Sequence, residues 1–255
     1  MTRWPLFWIL IFGWAGLAPL PATAEDLNSV LLRADKLQDA NRFSEALDVL
    51  KEADRTSPEN PAVLRRLSQV YSDLIDVTAN EGPKKQYAQL ALSNAKRAVQ
   101  KAPDDADAHL ALSIAYGKIT DYVDNKTKIE YSKYVKSEAE KAIELNPKLD
   151  DAYEVLARWN FEMTSLNPIE RGFAQLFYGQ LPPASRDKAL EYFRKAISLA
   201  PDRIIHHAEY ARALEKTGRS NEAKAEWRKV LQLKPADTGD RKYQAEAARK
   251  AGSGQ

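Results

Sequence analysis

The sequence predicts an all-α chain, a superhelix of about five stacked helical pairs, and three observations predict it. Five segments carry small residues at one shared register and end on a proline. Behind four of those prolines a second register recurs. Nothing between these segments reads as a strand. Small and apolar residues repeating at helical spacing mark helix faces that pack closely on one another.

The five segments are ALDVLKEADRTSP to Pro58, ALSNAKRAVQKAP to Pro103, VKSEAEKAIELNP to Pro147, ALEYFRKAISLAP to Pro201 and AKAEWRKVLQLKP to Pro235. Twelve residues before each proline stands Ala46, Ala91, Val135, Ala189 or Ala223, and five before it stands Ala53, Ala98, Ala142, Ala196 or Val230. Eight before it stand Leu50, Ala95, Ala139, Phe193 and Trp227. Each proline falls just past a last turn, because it cannot continue a helix. Nine residues beyond come Leu67, Leu112, Leu156 and Tyr210, each followed by a small residue, with Tyr71, Tyr116, Asn160 and Leu214 one turn later. This two-helix unit resembles the tetratricopeptide repeat at its characteristic small and apolar positions. Only Pro201 to Pro235 has the standard spacing of 34 residues. The earlier intervals are 45, 44 and 54, so three repeats carry extra residues between first and second helix, near Thr78 to Lys85, near Tyr122 to Tyr131 and across 165–185. About twelve helices are expected in a single domain over residues 25–250, with 251–255 a flexible tail.

Residues 1–24 are of another kind. Arg3 precedes an apolar run from Leu6 to Leu17, and Ala22-Thr23-Ala24 stands before acidic Glu25-Asp26. That order is expected of a cleaved secretory signal peptide, an uncleaved anchor being the other reading. The run is shorter than the roughly 20 residues a spanning helix needs. The chain is therefore expected to be exported, to the periplasm or outside the cell, and to touch a membrane at most without crossing it. It has no cysteine, which excludes disulfides, thiolate metal sites and cysteine nucleophiles. Loss of the segment removes one Arg and no acid, lowering the net charge from +2 to +1. So small a charge offers nucleic acid no footprint.

The stretch SLNPIERGFAQLFYGQLPPAS, 165–185, departs from the repeat. With Pro168 at a helix start, Ile169, Phe173, Leu176 and Phe177 share one face, and Gly179 and Pro182-Pro183 turn the chain before Ser185 caps the next helix. Such a helix is a plug of core, a lid on an apolar pocket or a membrane-touching surface. Together with YSDLIDVTANEGPKKQYAQLALSNAKRAVQKAP and YVDNKTKIEYSKYVKSEAEKAIELNP, it resembles the regulator of microtubule dynamics family over Leu64 to Pro235. The resemblance implies the tetratricopeptide fold, and members are linked to microtubules, to membranes and to lipid binding by the repeat domain.

First helices of such arrays line a concave surface where extended ligands bind. Counting from each proline puts Arg65, Gln69, Leu110, Ile114, Glu154, Arg158, Phe161 and Arg212 there, with Phe173 and Phe177 on the insert. The arginines suit a carboxylate or phosphate and the apolar members an apolar group. No phosphate loop, nucleophile elbow or metalloprotease helix is present. Of the three histidines, His206 and His207 point about 100° apart on a helix and His109 occupies a packing position. No enzyme, metal or cofactor is expected. The sequence points to a non-catalytic scaffold that binds a protein or peptide in its groove, or to a carrier of a lipid or other amphipathic small molecule under the 165–185 insert.

Overall fold

The computed structural model describes residues 26–178, 183–236 and 238–252. The apolar N-terminal segment, the expected turn at Gly179 with Pro182, and the last three residues lie outside them. Among the described residues twelve α-helices follow in order: α1 Leu27–Asp39, α2 Phe43–Thr56, α3 Pro61–Val77, α4 Glu81–Lys101, α5 Ala106–Ile119, α6 Asn125–Leu145, α7 Asp150–Ser165, α8 Pro168–Tyr178, α9 Arg186–Leu199, α10 Ile204–Lys216, α11 Ser220–Gln232 and α12 Thr238–Gly252. There is no strand among the described residues. The pairs are α1/α2, α3/α4, α5/α6, α7/α9 and α10/α11, with α8 an extra helix on α6 and α12 closing the array. No described helix is long and apolar enough to cross a membrane.

The repeat register accounts for the core. Every residue it selects in the second helices is buried, from Leu50 and Ala95 to Phe193 and Trp227, and so are Leu67, Leu112, Leu156 and Tyr210 in the first helices. Side chains seven apart lie within about 20° of each other around a helix, so the small residues form one seam that lets backbones approach.

Four of the prolines make the same turn. The amides of Asn60, Asp105, Leu149 and Arg203 donate to the carbonyls of Ser57, Ala102, Asn146 and Ala200 at 3.1–3.3 Å, with proline second in each turn, where its fixed φ belongs. The carbonyl of three of these prolines is then tied down from inside the next helix. His109 and His207 place Nε2 at 2.9 and 2.8 Å from the carbonyls of Pro103 and Pro201, and Tyr153 Oη donates to that of Pro147 at 3.2 Å. Each of these histidines also sets Nδ1 2.6 Å from a second-helix carboxylate, Glu138 or Glu226. Both rings are thus engaged at both nitrogens. Asn60, Asp105, Asp124 and Ser185 cap α3, α5, α6 and α9 with side-chain oxygens.

The unextended repeats close tightly. At α1 the amides of Asn41 and Arg42 donate to the carbonyls of Gln38 and Leu37, and at α10 those of Gly218 and Arg219 donate to Glu215 and Leu214. This paired hydrogen-bond pattern needs a left-handed residue, supplied by Asn41 at φ 58° and Gly218 at φ 77°. The enlarged repeats lack it. Their extra residues lengthen α4 and α6 to 21 residues each, against 13 or 14 for α2, α9 and α11, and in the fourth pair they form α8.

Candidate functional site

α1, α3, α5, α7, α10 and α12 pack in succession, and most of the seams between them are stitched by side chains. Between α1 and α3, Arg66 grips Asp35 through two nitrogens at 2.7 and 2.8 Å, and Gln38 donates to Asp73 at 2.6 Å. Between α3 and α5, Lys118 Nζ donates to both oxygens of Asp76 at 2.5 and 2.7 Å. Between α10 and α12, Arg212 pairs with Glu246 and Lys250 with Glu215, the latter at 2.7 Å.

The α7–α10 seam holds a buried charge cluster. His206 is fully buried, with Nε2 2.7 Å from Asp150 Oδ2. Its Nδ1 lies 3.3 Å from Glu154 Oε2, an ion-pair contact whose angle does not make a hydrogen bond. Burial opposes charge on this ring, but the Asp150 and Glu154 carboxylates outweigh it and hold the pKa up to about 9. Asp150 is correspondingly held down to about 2: burial pushes it up, and His206 and Arg203 more than reverse that. Asp151 is raised by its burial. Asp150, Asp151 and His206 could present three ligand atoms within 4.8 Å of one another. Arg203 already stands where a cation would, at 2.8 and 2.7 Å from the two aspartates.

Between α5 and α7 the described residues form neither an ion pair nor a side-chain hydrogen bond, and there a cavity of about 810 Å³ opens. Its floor is Ser113, Ile114 and Gly117 of α5 and Val155 and Trp159 of α7. The walls come from the extra residues: Asn125, Lys128 and Ile129 on the lengthened start of α6, and Leu166, Ile169 and Ala174 at and on α8. Ser113 Oγ donates to the Val135 carbonyl and Trp159 Nε1 to that of Ser132, at 2.7 Å each, so the floor is locked to α6 and offers mainly apolar surface. The space is of the size that takes small ligands or a few side chains.

The expected site residues divide. Ile114 and Arg158 line the cavity. Glu154 is buried beneath Arg158, 3.8 Å away. Arg65 donates to Gln69 at 3.3 Å in another part of the surface, and Arg212 is taken up by Glu246, Glu209 and the Tyr243 ring. Leu110 is not on the groove: α5 is apolar nearly all round, and Leu110 packs against Ala142 and Ala152 in the core. Phe161 is likewise buried, in the cluster around Phe193 and Tyr210. The side chains of Phe173 and Phe177 lie outside the described residues. Counting from the prolines misses Ile129, Trp159, Met163 and Leu166. The long 44- and 54-residue intervals were the signal for Ile129 and Leu166, since the added chain had to go somewhere; Trp159 and Met163 lie within α7 itself.

Stacked helical pairs, shared proline turns and a concave cavity define a tetratricopeptide-type helical array. A thermophilic TPR protein of Thermus thermophilus superposes with a TM-score of 0.64 at 22% identity, over 88% of this chain and 100% of that one. PilF of Pseudomonas aeruginosa does so at 0.55 and 14% identity, over 89% and 87%. The chain belongs to the regulator of microtubule dynamics family, whose model, "Regulator of microtubule dynamics protein 1-3", matches residues 30–253. Regulator of microtubule dynamics protein 3 of Mus musculus is 28% identical over 219 residues, 85% of this chain and 46% of the relative; protein 2 of Bos taurus is 26% identical over 177 residues, 69% and 43%. The chain spans about half the length of these curated relatives.

Proposed function

We propose that the protein is a non-catalytic scaffold that holds a segment of a protein partner in the concave cavity between α5 and α7. The observation that carries this reading is the cavity itself, walled by residues that the standard repeat lacks. A tetratricopeptide-type array supports protein interaction as a class. A second reading, carriage of a lipid or other amphipathic small molecule, draws on the apolar lining and on α8, where Ile169 and Leu176 are 83% and 77% exposed. Both readings use no metal or cofactor. Export is part of the proposal, and a mature amino terminus at Glu25 is the result that would support it. The microtubule role in the relatives' names belongs to chains about twice as long.

Gly117 offers the test. Gly117 lines the cavity and a Cβ built there meets nothing within 4 Å, so Gly117→Phe is expected to fill part of that space. Native mass spectrometry of the protein recovered from its own host without detergent should show a bound polypeptide in the wild type that the variant lacks. A retained mass that extracts into organic solvent and disappears in the variant would select the carrier. A retained mass indifferent to the variant would move the site elsewhere.

A further inference from the structure

Resting on the scaffold reading of the α5–α7 cavity, we infer that its occupant is the uncharged apolar face of an amphipathic helix in the partner. The first reason is charge. Three acids and three bases line the cavity: Asp76, Asp121 and Glu162 against Lys118, Lys128 and Arg158. Every one of those bases already faces a carboxylate of this chain: Lys118 meets Asp76 at 2.5 Å, Lys128 meets Asp121 at 4.0 Å and Arg158 meets Glu154 at 3.8 Å. Glu162 stands one turn from Arg158 and adds to the negative surroundings that raise its pKa. The rim therefore sums to zero, and each of its bases stands within 4.0 Å of a carboxylate of the same chain. A charged occupant would meet a rim with no net charge to attract it; an apolar one complements the apolar part of the lining.

The second reason is the direction of the apolar surface. It leaves the cavity along α8, where Ile169 belongs to the lining and Leu176, seven residues on, lies about 20° away around the same helix. Ala174 is buried where α8 packs beside the cavity. Two turns of α8 measure about 10 Å, so Ile169 and Leu176 carry the apolar lining outward over a length that matches anchors at i and i+7 of a facing helix.

Selection from a displayed library of helical peptides against the mature chain tests this directly. Peptides enriched in aliphatic or aromatic residues at i, i+3 or i+4 and i+7 are expected, binding with little change between roughly 50 and 500 mM salt, since no ion pair is formed on binding. Gly117→Phe should weaken them at least about tenfold, and Ile169→Glu with Leu176→Glu should do the same while leaving the circular dichroism and the melting temperature unchanged. Selected peptides with charged anchors and steep salt dependence would overturn the inference and leave a scaffold of another specificity. Peptides indifferent to Gly117→Phe would remove the cavity from partner binding. No helical peptide selected, together with an organic-extractable ligand on the native protein, would overturn this inference and the scaffold reading at once.

Discussion

The last pair, α10 and α11 with α12, and the enlarged middle, α5 to α8, solve the same packing problem differently. In the last pair the chain turns at Gly218 within three residues, and α12 lies against the first helix with Glu246, Lys250 and Tyr243 set on Arg212, Glu215 and Glu209. Its concave face is filled by its own side chains. In the middle, the chain runs on past the end of α5 through a short 3-10 turn, Thr120–Tyr122, into a long α6 and later into α8. The added residues become walls, and the space they enclose is left open. Extra length in the third and fourth pairs is thus converted into cavity, whereas the standard length of the last is converted into closure.

The largest expected effect breaks the closed side. Trp227 is 1% exposed and donates Nε1 to Glu215 at 2.9 Å, so Trp227→Ala should cost about 3–5 kcal/mol in chemical denaturation. A next effect separates the stitched α7–α10 seam from the open α5–α7 one by pH. Because the folded state holds the His206 proton more tightly than the unfolded chain, with pKa about 9 against 6.5, the cluster's contribution is fully present below about pH 6.5 and is lost as pH rises through 9. That difference is worth on the order of 3 kcal/mol. Denaturation midpoints should fall between about pH 7 and 9.5 in the wild type, and far less in His206→Gln. The smallest effect lies in the open region. Gly117→Ala should leave the fold intact and raise stability by about 0.5–1 kcal/mol, the usual gain for alanine over glycine in a helix. A loss there would mean that the cavity floor is tighter than the space around Gly117 indicates.

Most of the fold could be read from residues that repeat. Ala46, Leu50 and Ala53 have counterparts in every pair, so their burial follows from one rule applied five times. The site was legible only in part, because it is made from residues that do not repeat. Ile114 and Arg158 were reached by counting from a proline, but Leu110, chosen by the same count, is core, since the surroundings of a register position depend on how apolar the rest of its helix is. Ile129 and Leu166 belong to no register at all. Their place is decided by how far α6 extends and where α8 returns, and both are tertiary outcomes. The clamps on the proline carbonyls were also invisible: His109, Tyr153 and His207 share a position six residues after proline, yet a histidine and a tyrosine look alike only once both reach the same carbonyl oxygen.

The two main apolar clusters meet on α7. Trp159 packs into the one built by α1 to α6, while Ala157 and Phe161 pack into the one with α9 to α11. In an array where each unit touches only its neighbours, cooperativity travels from unit to unit through such interfaces. A single sixteen-residue helix thus carries the conversation between the two halves of the molecule. Trp159 and Val155 also line the cavity, so an occupant settling there would touch that joint directly.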